Sequence, residues 1–295
     1  MNNVVNGKSV KVFASSFVMM ALALVMTSQA GASGITFSII APHEYNLPVD
    51  FDKSLDLLIQ YGEWNGLDKA FDSSGNKVST AAKTDTYVGV TKYARFFNYK
   101  SLPGVAFAWE AILPEVSIRS TGQSDNGLGD PITGLLAWIK PTKNTVFGVQ
   151  NYLQLPFGTE KVSDNTFKTL PSIFWDAQFG DFNFDGDAGF VIQSKDTKNN
   201  KEPGSTFHSN IRMGYRVHKY VEPYFSLDYQ TTGSTKNSLT GSDIANSKSN
   251  ELGLGGGLMV NFSDSVSLSA KYQYGVDGKN TAVTNGISFK WCYVF

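Results

Sequence analysis

The chain closes on Asn285–Phe295, NGISFKWCYVF, and the reading of this stretch decides the fold. Ile287, Phe289, Trp291, Tyr293 and Phe295 share one parity, while Ser288, Lys290, Cys292 and Val294 share the other. A period of two sends these sets to opposite faces of a β-strand. One face is then wholly apolar and aromatic, and in water its exposure costs about 25 cal/mol per Å². Lipid removes that cost. The stretch therefore reads as a strand with one face against a membrane, weighed against an ordinary sandwich strand buried on one side.

The other end of the chain supports the membrane reading. Lys8 and Lys11 precede the apolar run Phe17–Met26 (FVMMALALVM), and Ala30-Gly31-Ala32 follows. Basic residues, a short apolar core and small residues before a cleavage point make a secretory signal peptide. The core is too short for a spanning helix, which needs about 20 residues. The expected division is a signal peptide over 1–32, with cleavage after Ala32 or else Ala30. A periplasmic lead-in broken by Pro42 and Pro48 follows over 33–50, then a barrel over 51–295. The net charge of −1 suggests no nucleic-acid partner. Cys292 is the single cysteine, so no internal disulfide can form.

Working back from the last strand, the same alternation recurs. Val266, Leu268, Ala270, Tyr272 and Tyr274 oppose Ser267, Ser269, Lys271 and Gln273. Phe182, Phe184, Ala188, Phe190 and Ile192 oppose Asn183, Asp185 and Asp187. Val105, Phe107, Trp109, Ala111 and Leu113 form another apolar face, and Leu55, Leu57, Ile59 and Tyr61 share a face of the first strand. The second strand, from about Thr84 to Phe97, has an ambiguous facing. Twelve strands are predicted in all. Glu63–Lys83, Ser120–Asp130, Phe157–Thr169, Lys195–Ser205, Thr231–Lys248 and Asp277–Thr284 read as long loops, alternating with tight turns such as Pro141–Asn144. Even strand number with alternating long and short connections is the pattern of an antiparallel transmembrane β-barrel. Both termini would lie on the short-turn side, in the periplasm of a bacterial outer membrane.

The polar parity is expected to face a lumen. Its candidates are Glu110, Tyr152, Asp176, Asp185, Asp187, Arg212, Arg216, Glu222, Tyr224, Asp228, Lys271 and Lys290. Both signs occur, so these groups can pair with one another across a narrow interior or form a constriction that selects a solute. Around the short turn between strands eight and nine, Arg216 should approach Glu222 and Arg212 should approach Asp228. A twelve-stranded bore lies between the eight-stranded barrels that side chains fill and the 16-to-18-stranded ones that carry water. Tyr152 and Tyr224 could line a path for an aromatic solute.

Other chemistry finds little footing. Asp181-Phe182-Asn183-Phe184-Asp185-Gly186 copies half a calcium loop, but Ile192 stands where its bidentate Glu belongs. Gly253-Leu254-Gly255-Gly256-Gly257 lacks the strand-to-helix context of a nucleotide site and reads as crowding in the wall. The three histidines are His43, His208 and His218. A barrel lipase would need a serine and histidine together on the lipid face. Ser209 lies on that parity between Phe207 and Ile211, while His208 lies on the other. No metal, cofactor or catalytic residue is expected.

Two resemblances add to this reading. Trp291, Tyr293 and the terminal Phe295 resemble the assembly signal that outer-membrane barrels present to their assembly machinery. Gly127–Thr142 (GLGDPITGLLAWIKPT), Gly214–Val217, Val221–Pro223, Leu227–Gln230, Gly255–Gly257 and Asn261–Asp264 are similar to the strands of one bacterial family. It is an outer-membrane family named for the meta-pathway of phenol degradation. That resemblance implies a channel or transporter taking up small hydrophobic or aromatic compounds. A lipid-modifying enzyme, or a structural or surface-binding barrel with a plugged lumen, are the rival readings.

Overall fold

A computed structural model describes residues 35–196 and 198–295; the signal-peptide segment lies outside them. The structure is all-β. Twelve long strands, β1 Leu55–Phe71, β2 Lys77–Asn98, β3 Val105–Ser120, β4 Ile132–Thr142, β5 Thr145–Gln154 and β6 Lys168–Phe179, then β7 Phe182–Gln193, β8 Thr206–Tyr215, β9 Val221–Thr232, β10 Ser249–Asn261, β11 Val266–Lys279 and β12 Asn285–Val294, pair in chain order. Every pairing is antiparallel, and β1 bonds to both β2 and β12, so the sheet closes into a barrel with no free edge. Closure satisfies the backbone within the wall, the condition that a bilayer imposes on any spanning structure.

The alternation of the sequence becomes inside and outside. Leu135, Phe147, Ile173, Phe184, Tyr272 and Phe289 point out and are exposed, whereas Gly134, Val146, Phe174, Asp185, Lys271 and Lys290 on the same strands are buried. Two aromatic belts flank the outer face. Toward the short turns, Phe97, Tyr99 and Phe107 form a cluster, Phe182 packs on Tyr215, and Trp291, Tyr293 and Phe295 stack in file. Toward the opposite rim, Phe190, Phe207 and Tyr229 make a second row. The C-terminus sits on the short-turn rim, where Phe295 and Asp56 exchange backbone hydrogen bonds.

Three expectations need correction. Glu63–Lys83 is not a loop: β1 and β2 continue through it as a hairpin closed at Asp72–Asn76. There Gly75 takes φ +86° and the Asp72 carboxylate accepts from the Ser74 and Asn76 amides. Ser120–Asp130 likewise folds back, with Gln123–Leu128 paired to Glu115–Ser120. Polar residues pair as well as apolar ones where both faces of a strand meet water, so composition alone misassigned these segments. Third, the apolar face of β1 turns inward: Ile59 and Tyr61 are buried in the lumen, and Leu55 and Leu57 pack against the apolar cluster there.

The reason for that inversion is residues 35–50. The sequence suggests a periplasmic lead-in, but the structure places this segment inside the barrel. It runs from Thr36 beside Gln230, toward the long-connection end, down to the short-turn rim, where Asn98 donates to the carbonyls of Val49 and Phe51. Ile35, Ile40, Ala41, Tyr45 and Leu47 are buried. The lumen has apolar cargo of its own to cover, and β1 supplies part of that cover.

Candidate functional site

The site is the lumen with the segment that fills it. Inward side chains set its shape. On β4 and β5, Gly134 and Gly148 stand opposite Tyr152 and Phe174, and a Cβ on either glycine would collide with the facing ring. Gly257 stands under Tyr224 in the same way. The glycine run of β10 is therefore crowding, as its sequence suggests, and it lets large rings lie flat on the wall. With Ala106 and Ala108 also inward, the wall does not fill the bore by itself.

Residues 35–50 fill it, held by two kinds of contact. On one side the wall is charged. Arg212 is fully buried and donates from Nε to the Ile40 carbonyl at 2.8 Å, from Nη2 to Ser38 at 2.6 Å and from Nη1 to Asp228 at 2.8 Å. Lys271 donates to the same Ser38 carbonyl and to Gln273. Asn210 donates to the Thr36 carbonyl, and Gln230 accepts from the Thr36 amide. His43 reaches Glu222 at 2.9 Å, and the Glu44 amide donates to Asp185 at 3.0 Å. The Glu44 carboxylate accepts from Lys290 at 2.5 Å, Lys92 at 2.9 Å and the Tyr61 hydroxyl at 2.7 Å.

On the other side the wall is apolar. Tyr45 stacks on Phe174 with ring centroids 4.6 Å apart and planes 17° apart. Leu47 joins Ala94, Phe96, Leu136, Trp138 and Leu170 in one buried cluster. Burial of a side chain such as Leu47 contributes about 1.5–3 kcal/mol. The Trp138 indole closes this side by donating to the Pro48 carbonyl at 2.8 Å. Two bends of the segment, at Phe37 and His43, take left-handed backbone at φ 58° and 59°. Such conformations cost non-glycine residues about 1–3 kcal/mol and persist where surroundings over-determine them. Here Phe37 packs edge-on to Tyr152 and His208, and Glu222 holds His43.

Of the lumen candidates, Glu110, Tyr152, Asp176, Asp185, Asp187, Arg212, Glu222, Tyr224, Asp228, Lys271 and Lys290 are buried inside the barrel. Arg216 is not: its side chain is 40% exposed and stands 4.0 Å from Glu222, since the strand has already ended at Tyr215. Arg212 and Asp228 pair closely. Glu110 accepts from Tyr152 at 2.7 Å and faces Lys92 at 3.6 Å. Asp176 accepts from Asn183, while Asp187 faces His208 at 3.2 Å. Sequence reasoning missed Tyr61, Lys92, Trp138 and Phe174 on the wall and His43, Glu44 and Tyr45 on the segment. For Trp138 a signal existed, since it shares the parity of Gly134 rather than that of Leu135 and Ile139. His208 and Ser209 point to opposite faces of β8. Among the described residues, no group of three or more His, Cys, Asp or Glu is placed to hold a metal ion.

A closed antiparallel barrel, apolar outside between two aromatic belts, defines the class of transmembrane β-barrels. The family model described as "Putative MetA-pathway of phenol degradation" matches residues 67–291, and the chain belongs to that family. No curated protein matches it. Among solved structures, the fold is similar to that of an outer membrane channel from Pseudomonas putida F1, with TM-score 0.76 and 15% identity, covering 87% of this chain and all of that one. The β domain of the Bordetella autotransporter BrkA is also similar, with TM-score 0.50 and 12% identity over 83% of this chain and all of that one.

Proposed function

We propose that the protein is a channel of the bacterial outer membrane for uptake of small hydrophobic or aromatic compounds, held closed by residues 35–50. The observation that carries this reading is what fills the bore. A purely structural barrel can fill its lumen with wall side chains, as eight-stranded barrels do. Here the wall carries glycine and alanine under flat aromatic rings, and the filling is a separate stretch of chain. Withdrawing it would open a passage lined by Phe96, Trp138, Tyr152 and Phe174, surfaces suited to an aromatic solute. The family description and the similarity to an outer membrane channel support the same reading. The partners that follow are outer-membrane lipid around the aromatic belts, the assembly machinery at Trp291, Tyr293 and Phe295, and the solute itself.

The burial of Arg212 favours one rival, a barrel stoppered for good. Phenol uptake by cells with and without the wild-type protein separates the two, with deletion of residues 36–49 as the open reference: a channel speeds uptake in its wild-type form, a stoppered barrel only once the segment is deleted. On deletion, single-channel conductance and phenol uptake by intact cells both rise severalfold above wild type. If the wild-type protein folds but leaves uptake at the level of cells without it, the structural barrel is the correct reading.

A further inference from the structure

Glu44 and Tyr45 present three chemical features side by side: a carboxylate, an aromatic ring and a phenol hydroxyl. Each meets a matching group on the wall. Lys290, Lys92 and the Tyr61 hydroxyl surround the carboxylate. Phe174 stacks on the ring, and the Gln150 amide stands 3.4 Å from the hydroxyl.

The charge balance of this place is specific. Lys92 has a second carboxylate, Glu110, at 3.6 Å. Lys290 is buried, and Glu44 is its ion-pair partner among the described residues. When residues 35–50 leave the bore, Lys290 loses the carboxylate in contact with it and keeps only the longer-range attraction of Asp185, beside an aromatic surface. An ammonium pairs more strongly with an anion than with a neutral group, so the emptied place favours an anion over a neutral molecule of the same shape.

We propose that this is a solute-binding site for aromatic carboxylates, which Glu44 and Tyr45 occupy by imitation. The inference rests on the uptake reading above and sharpens it: the preferred solute carries an acid group as well as a ring. It also accounts for closure. A tethered mimic occupies its site at a high effective concentration, so solute must compete with it before the bore opens.

The test uses the full mature chain in detergent, with 4-hydroxybenzoate and its neutral methyl ester as probes and equilibrium calorimetry as the readout. Glu44→Gln keeps the size of the side chain and releases the cation. The variant should bind the acid about tenfold more tightly than wild type, the scale of one charged hydrogen bond, with little change for the ester. Adding Lys290→Gln should abolish the gain. A second route, deletion of residues 36–49, should show the same preference for acid over ester. Equal binding of acid and ester in both altered proteins, or a gain that survives Lys290→Gln, overturns the proposal. Phenol uptake by cells carrying the wild-type protein separates the two claims. Uptake without acid preference leaves the channel reading intact and removes the site, whereas acid-selective binding without uptake keeps the site and removes the channel.

Discussion

The two halves of the lumen wall hold the same segment in different ways. From β7 to β12 the inward residues include Asp185, Arg212, Glu222, Asp228, Lys271 and Lys290, all buried. From β2 to β6 they are largely Ala94, Phe96, Ala106, Leu136, Trp138 and Phe174. The charged half reaches mostly for backbone: carbonyls of Thr36, Ser38 and Ile40 and the amide of Glu44. The apolar half receives side chains, Tyr45 and Leu47. Charged hydrogen bonds are directional and fix where the segment lies along the bore. Apolar contact is not directional, so that half supplies burial and can accept another ring of similar size.

Removing the strongest directional contact should have the largest effect. Arg212→Ala leaves Asp228 buried with Lys271 as its remaining cation and takes the guanidinium donor from the Ile40 carbonyl, and should cost about 3–5 kcal/mol. The measurement is the urea midpoint of the heat-resistant folded band in gels. A loss below about 1 kcal/mol would mean that water reaches the pair, as for exposed ion pairs, and that the charged half is wetter than its burial shows.

A smaller loss is expected where the apolar half holds the segment by a neutral hydrogen bond from a buried ring. Trp138→Phe keeps a ring in the cluster but leaves the Pro48 carbonyl without a donor, at about 1–3 kcal/mol by the same assay. If it cost as much as Arg212→Ala, the two halves would not differ in kind.

The least effect should come from outside both halves. Glu160→Gln breaks an exposed loop pair with Lys198, which are 84% and 57% exposed. Stability should stay within about 0.5 kcal/mol of wild type. A larger change in either direction would show that the long connections brace the bore.

How far the sequence could be read follows the same division. Ser267–Gln273 and Asn183–Asp187 alternate cleanly, so their strands, their inward residues and the barrel itself were legible. Arg212 with Asp228 was legible too, because a short turn brings neighbouring strands together in known register. Lys92 was not, since its parity on β2 also carries Val88, Val90, Ala94 and Phe96, apolar residues that face inward, while Gly89, Thr91 and Arg95 lie on the other face. Trp138 lies in a run, Leu135–Ile139, that is apolar on both faces, and only its parity with Gly134 marked it as inward.

What the sequence by itself determined was the wall: a period of two is a local signal, and each strand states its two faces, although on β1 and β2 not which of them is inside. Only the tertiary structure decided what the wall encloses. Residues 35–50 have no period, two prolines and two left-handed bends. Their partners lie far along the chain, Glu222 for His43, Lys290 for Glu44 and Gln150 for Tyr45. Contacts of that separation leave no local pattern, because they exist only once the sheet has closed and made an inside for the segment to occupy.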